Sequence, residues 1–294
     1  MTKVELAKAE HEWDKTDDTR KANRKRLWDL RANEWEEGLR CNEVKRKRNE
    51  ERILASITWL EQFGLFQGDG NVADIGCGVG RFAAEFAKKS RYVLGVDISP
   101  RMTELGNAYA KEMGLLNTEF YTGDFTALDV AVAGLGWQNQ FDLVFTSITP
   151  AIRGKSGLDN MIAICRAWCF NSCFIYFRNE LYDQIMTELF QRPPFREKTS
   201  HSNWFKKLFD VLWFRGYQPY IHYFKEYRDE NRYVDLSFAQ NIAGLLLDEE
   251  GKDENAERIL RFLEQKADQN GEVSFNSECW YGWTLWNVNE RICR

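Results

Sequence analysis

The chain lacks any apolar run approaching the ~18 residues that read as a membrane-spanning helix. Its first ten residues, MTKVELAKAE, are polar and mixed in charge, without the apolar segment of a secretory leader. It also lacks a paired cysteine framework. Seven cysteines are an odd number at irregular spacing, so free thiols and a reducing compartment, the cytosol, are expected. Positive charge is not in surplus: 40 Lys and Arg face 45 Asp and Glu, for a net charge of −5. That balance argues against an extended phosphate-tracking groove as the main surface, while leaving room for a local basic patch. No internal repeat or low-complexity tract is present.

What remains is a chain of 294 residues, 44% hydrophobic and 29% charged. This is the profile of a soluble globular protein with ample core, built as one large domain or one domain with a helical cap. Residues 1–66 read as charged helices. Trp28 and Trp35 are seven residues apart and share a helix face, and Ile53, Leu54, Ile57 and Leu60 repeat at helical spacing before Gly64. From Asn71 short apolar strands alternate with helices. Strands are expected at 72–75, 92–96, 118–121, 141–145 and 173–177, with helices from Arg81, from Pro100 and over 158–168. Such alternation predicts a parallel sheet covered on both faces. Beyond Arg178 the pattern predicts two helical stretches within 179–216 around Pro193-Pro194, a strand over 217–227, two helices over 237–268 and a strand over 273–288. A late antiparallel pair of strands fits this tail.

The strongest local signal is Val72-Ala73-Asp74-Ile75-Gly76-Cys77-Gly78-Val79-Gly80-Arg81-Phe82. An apolar strand enters three alternating glycines and then a helix. Glycines allow a sharp turn and close approach of a ligand to the main chain, and the helix start supplies free N–H groups. The same residues also satisfy a dinucleotide pattern, Gly78-x-Gly80-x-x-Ala83, so NAD(P) binding by an oxidoreductase has to be weighed. Asp74 tilts the balance, because a carboxylate there repels a pyrophosphate and attracts an ammonium group. S-adenosylmethionine carries an ammonium and a sulfonium and no phosphate. Asp97, in Gly95-Val96-Asp97-Ile98-Ser99, ends the next strand and can accept both hydroxyls of a ribose, which suits either cofactor. Asp124 and Phe125, after the third strand, can accept an adenine amino group and pack on the purine.

The ordered series Asp74-x-Gly76-x-Gly78-x-Gly80, Asp97, Gly123-Asp124-Phe125 and Phe141-Asp142-Leu143-Val144 resembles the motifs of class I S-adenosylmethionine-dependent methyltransferases. The resemblance covers about residues 71–178. It implies a Rossmann-like α/β fold with a mostly parallel seven-stranded sheet and helices on both faces. It further implies that Asp74 helps hold the methionine amino group, Asp97 the ribose and Asp124 the adenine, with Met102 against the adenine ring. Gly76, Cys77, Gly78, Gly80, Ile98 and Phe125 complete the expected cofactor contacts. The stretch 28–35 is similar to a lead-in of small-molecule members in which a helix with spaced aromatics lies over the cofactor. That places Trp35 at the cofactor, whereas core packing is the preferred account of Trp28.

Acceptor residues are harder to read, since methyl transfer asks mainly for alignment. The fourth strand runs into Thr146-Ser147-Ile148-Thr149-Pro150-Ala151-Ile152-Arg153, at the strand end where open α/β sheets bind ligands. Ser147 is expected at the cofactor, and Thr149 and Arg153 at the substrate, although an ordinary capped loop explains the hydroxyls as well. The loop lacks the Asn/Asp-Pro-Pro-Tyr/Phe sequence of amino-methylating nucleic-acid enzymes, which favours a small-molecule acceptor. Residues 179–216 are expected as a lid, with Trp204 as a substrate contact. His201 and His222 are the candidate bases, each weighed against plain surface packing. Cys165, Cys169 and Cys173 are spaced C-x3-C-x3-C. Cys165 and Cys169 are expected on one helix face and Cys173 on a strand, with core packing preferred to an iron–sulfur or zinc site. The expected organisation is a helical cap over 1–66 and a methyltransferase domain over 67–294, with no metal and no membrane partner. Methylation of RNA is the competing reading, resting on the basic residues between Lys21 and Arg48, which interleaved glutamates largely neutralise.

Overall fold

The computed structural model describes residues 3–16, 21–130, 134–195, 200–247 and 252–292. In chain order the elements are α1 (Lys3–Asp14), α2 (Lys21–Cys41), α3 (Glu43–Glu61), β1 (Asn71–Ile75), α4 (Arg81–Ala87), β2 (Tyr92–Asp97), α5 (Pro100–Glu112), β3 (Thr118–Thr122), β4 (Phe141–Ser147), α6 (Gly154–Ile164) and β5 (Cys165–Asn179). They continue as α7 (Glu180–Gln184), a π-helical turn over Ile185–Leu189, α8 (Ser200–Phe214), β6 (Tyr220–Tyr233), α9 (Leu236–Leu246), α10 (Lys252–Lys266) and β7 (Glu272–Asn287).

The seven strands form one sheet in the order β3-β2-β1-β4-β5-β7-β6. β1 lies between two parallel partners: Val72 is opposite Val93 of β2 and Leu143 of β4. Strands covered on both faces are apolar along their length, and residues 72–75 are all buried. The same pairing brings the carboxyl ends of β1, β2, β3 and β4 to one side, where a doubly wound sheet binds ligands. The fold therefore has the expected mostly parallel seven-stranded sheet with helices.

The described residues divide into two compact units. The first comprises 1–173, 204–222 and 282–294; the second comprises 174–203 and 223–281. The first unit holds the core of Ala73, Ile75, Leu94, Val96 and Val144, extended by Leu158, Met161, Leu208, Val211 and Trp286. The second unit has its own core, in which Leu181 and Ile185 meet Ile242, Ile259 and Leu263. Residues 1–66 group with the first unit, and the stretch 179–216 divides between the two units.

One local expectation is corrected. The helix expected over 158–168 is α6, which ends at Ile164, and Cys165 and Cys169 lie on β5 together with Cys173. Four-residue spacing places two side chains on one helix face but is equally compatible with a strand, where even spacing also keeps one face. Pairing decides: Val144 of β4 is opposite Cys169, and the irregularity between Phe141 and Leu143 shifts the register early in β5.

Candidate cofactor and acceptor site

The glycine loop is shaped by its neighbours. Gly76, Gly78 and Gly80 have φ of +74°, +52° and +74°, the left-handed region that favours glycine. The N–H groups of Gly76 and Cys77 both donate to the Val96 carbonyl, at 2.7 and 3.1 Å, tying the loop to β2. A Cβ on Gly76 would stand 2.1 Å from Thr149 Oγ1, so only glycine allows the loop after β4 to close against it. Gly80 is the left-handed cap of α4, and the ring of Phe120 occupies the space a side chain there would need.

Three acids stand at successive strand ends. Asp74 is 2% exposed, and its Oδ2 is buried without a hydrogen-bond partner. Burial, followed by the charge of Asp97, pushes its carboxyl up to about 8, against the opposing effect of the Ala83 backbone N–H. An unsatisfied buried carboxyl is costly unless a cation or donor meets it, and a cationic ligand beside it would relieve that cost. Asp97 accepts the Gly78 N–H through Oδ2 and the Ser99 N–H through Oδ1, each at 2.9 Å. One carboxylate thus sets both the glycine loop and the start of α5. Burial raises its pKa, and the Ser99 and Gly78 N–H groups oppose the rise. Asp124 Oδ1 accepts from the Thr126 N–H and hydroxyl, at 3.1 and 2.8 Å.

These ends open into a cavity of about 390 Å³. Of the residues expected at the cofactor, Gly76, Cys77 and Gly78 line it from the glycine loop, Asp97, Ile98 and Met102 from the β2–α5 corner, and Asp124 and Phe125 from the end of β3. Ser147 and Thr149 line it from the end of β4, and Trp35 from α2. Asp74 and Gly80 lie outside the lining. Burial, then the charges of Asp97 and Asp74, drives the Cys77 thiol well upward, so it stays protonated.

The helix α2 forms another wall. Trp28, Ala32, Trp35 and Leu39 recur at helical spacing; Ala32 is fully buried and clusters with Val79 and Met102. Trp28 and Trp35 both line the cavity. Ion pairs fix the helix there. Arg81 Nη2 donates to both oxygens of Glu36 at 2.9 Å, and its guanidinium lies over the Tyr109 ring. Glu36 also accepts from Arg40 Nε at 2.5 Å, while Ser99 Oγ donates to Asp29 and Arg101 Nε to Asn33.

The acceptor candidates divide. Thr149 lines the cavity, whereas Arg153 lies over the Trp204 ring and neither of these two lines it. His222 packs against Trp59 and Trp283, with ring centroids at 5.4 and 5.1 Å in a three-ring cluster, and is not part of the lining. Burial lowers its pKa. The backbone of His201 belongs to α8, and its side chain lies outside the described residues. Cys165 Sγ contacts the Trp168 carbonyl and Cys169 Sγ the Met161 carbonyl; burial raises the Cys173 thiol to about 12. Among the described residues no three His, Cys, Asp or Glu side chains are grouped to hold a metal, and no helix is long and apolar enough to cross a membrane.

Other lining residues have no signal in the sequence. Asn49 and Arg52 reach the cavity from α3, with Arg52 Nη2 donating to Asn49 Oδ1 at 2.9 Å. Ile148 lines it at φ +53° and is 43% exposed. A β-branched residue in that region is strained, and such strain concentrates at ligand sites.

Residues 72–171 match the family model described as a methyltransferase domain. The chain is 32% identical over 117 residues to a 23S rRNA (uracil(1939)-C(5))-methyltransferase of Photobacterium angustum, covering 40% of this chain and 49% of that one. It is 24% identical over 139 residues to phosphoethanolamine N-methyltransferase 1 of Zea mays, covering 47% of this chain and 26% of the relative. The chain thus spans about half or less of the length of these relatives. Among solved structures, magnesium protoporphyrin IX methyltransferase of Synechocystis with bound SAH aligns at 17% identity and a TM-score of 0.43, over 60% of this chain and 76% of that one.

Proposed function

From a chain that carries a class I S-adenosylmethionine-dependent methyltransferase domain, we propose that it methylates a small-molecule acceptor bound between the loop after β4 and α3. The observation that carries this reading is the walling of the cavity: α2, held to α4 by the Glu36–Arg81 pair, lines one side, and Asn49, Arg52, Ile148 and Pro150 add a wall beyond Asp97 and Asp124. When bound, the cofactor supplies an activated methyl and its own leaving group. The remaining residues align the acceptor and exclude water, and alignment alone can account for ~7–11 kcal/mol of the barrier. Asp74 meets the ammonium, Asp97 the ribose, and Asp124 with Phe125 and Met102 the adenine. Thr149 stands against Gly76 and faces the acceptor side.

Arg52 gives that side a cationic edge, which suits an acceptor bearing a carboxylate or phosphate. Phosphoethanolamine, named for one of the relatives, is a molecule of that kind. The cytosol is the proposed compartment, in keeping with free cysteines among the described residues.

RNA is the second reading, favoured by the rRNA methyltransferase relatives. Three basic side chains of α2 and α3 weigh against it, because Arg40, Arg46 and Lys47 are engaged by Glu36, Glu50 and Glu43. Methyl-labelled S-adenosylmethionine incubated with the protein and either a deproteinised metabolite extract or total RNA separates the two. Label in a low-mass product retained on anion exchange is expected. Label in RNA alone overturns the small-molecule assignment.

A further inference from the structure

The sheet ends on β6, a strand of 14 residues with no further strand paired beyond it among the described residues. Long edge strands present a row of free N–H and C=O groups, and proteins normally blunt them. The two faces of β6 differ sharply. Even positions from Phe224 to Glu230 pack inward. Glu226 is buried and bonded to Arg228, Arg228 reaches the Tyr281 hydroxyl at 3.3 Å, and Ser277 donates to Glu230. Odd positions face out: Tyr223, Lys225, Tyr227, Asp229, Asn231 and Tyr233 are all exposed, Tyr227 at 70%. Lys225 Nζ is held 3.8 Å from the Trp280 ring centre, which fixes its charge on that outer face.

Among registers centred on residues 225–229, the order of charges along this edge is self-complementary in one. A two-fold axis perpendicular to the sheet pairs two copies of β6 antiparallel and sets each residue opposite one of the same parity. Centred on Asp229, the strand places Asp opposite Asp. Centred on Arg228 it places Arg opposite Arg, and on Lys225, Lys opposite Lys. Centred on Tyr227, it places Lys225 opposite Asp229 and Glu226 opposite Arg228, with Tyr223 opposite Asn231 and Tyr227 opposite itself. Opposite charges and paired aromatics across strands stabilise a sheet, and like charges destabilise it. The charges that elsewhere would repel a neighbouring strand here select a register.

We propose that the protein associates as a symmetric dimer through antiparallel pairing of β6 edges about Tyr227, the occupant of this edge being a second copy of the chain. The assignment is independent of the methyl acceptor. Sedimentation of the full chain across a concentration series is expected to show a monomer–dimer equilibrium. Lys225→Asp alone, or Asp229→Lys alone, turns two attractive pairs repulsive and should weaken the dimer by about tenfold in Kd. The double variant Lys225→Asp/Asp229→Lys recreates the pairs and should restore it. Oxidation of Tyr227→Cys with copper phenanthroline should trap a covalent dimer, while Tyr223→Cys, which faces Asn231, and the unmodified chain should not be trapped. A monomer at every concentration, equal weakening in the single and double variants, or no cross-link at position 227 would each overturn the proposal.

Discussion

The carboxyl groups of Asp74 and Asp97 stand at the ends of neighbouring parallel strands, and the charge of Asp97 adds to burial in holding Asp74 protonated up to about 8. An unfolded aspartate ionises at about 3.9. The free folded protein therefore binds the extra proton between about pH 4 and pH 8, and the stability contributed by this group falls as pH rises through that window. A bound ammonium reverses the preference and favours the carboxylate. S-adenosylhomocysteine binding should release a proton below pH 8, and its affinity should rise by up to about tenfold per pH unit between pH 5 and 8. Calorimetry in buffers of different ionisation enthalpy measures the proton. Asp74→Asn should flatten the pH dependence of urea unfolding and abolish the release. Proton release that persists in Asp74→Asn would assign it to another group.

Asp97 carries two tasks. Its two oxygens already accept the Gly78 and Ser99 N–H groups, so the proposed ribose contact and the shape of the glycine loop depend on the same carboxylate. Asp97→Ala should cost ~1–3 kcal/mol of cofactor binding through unpaired donors alone. Calorimetric titration with S-adenosylhomocysteine tests this, with circular dichroism confirming the fold. Unchanged affinity in a folded variant would remove Asp97 from the site.

Phe120 explains three glycines at once. A Cβ on Gly80, Gly95 or Gly106 would come within 2.8, 2.7 or 2.6 Å of its ring. Gly106 lies inside α5, where alanine ordinarily gains about 1 kcal/mol. Here Gly106→Ala should instead destabilise by ~1–3 kcal/mol, the usual cost of overpacking. Combining it with Phe120→Leu should recover part of the loss. A stabilised Gly106→Ala in urea titration would show that the ring yields freely.

How much of the site was legible follows from what kind of contact makes it. Asp97, Asp124, Gly76 and Gly78 line the cavity as the local pattern implies, because each is set by its own strand end, within a few residues of chain. Cys165 and Cys169 were misassigned because their spacing suits a helix and a strand alike, and only the pairing of β5 with β4 separates them. Asn49, Arg52 and Ile148 reach the cavity through tertiary placement of α3 and a left-handed backbone, neither of which a local pattern encodes. The slot for Phe120 likewise draws on a loop, a strand and a helix that are distant in sequence.

The pairing of Glu36 with Arg81 belongs to the same class, and it bears on how the cofactor leaves. Both side chains are largely buried, 9% and 16% exposed, and the pair joins α2 to the first residue of α4 beside the glycine loop. Removing one partner of a buried ion pair leaves the other charge uncompensated, which is far costlier than losing a surface pair. Arg81 would then be drawn toward water, and with it the wall that carries Trp28 and Trp35. Glu36→Gln should therefore speed S-adenosylhomocysteine release by about tenfold or more. Stopped-flow tryptophan fluorescence can read the rate directly, because both indoles line the cavity. Faster release with an unchanged association rate is the expected result. If release is unaltered while thermal stability falls, Glu36 only supports the fold, and the Glu36–Arg81 pair has no part in retaining the cofactor.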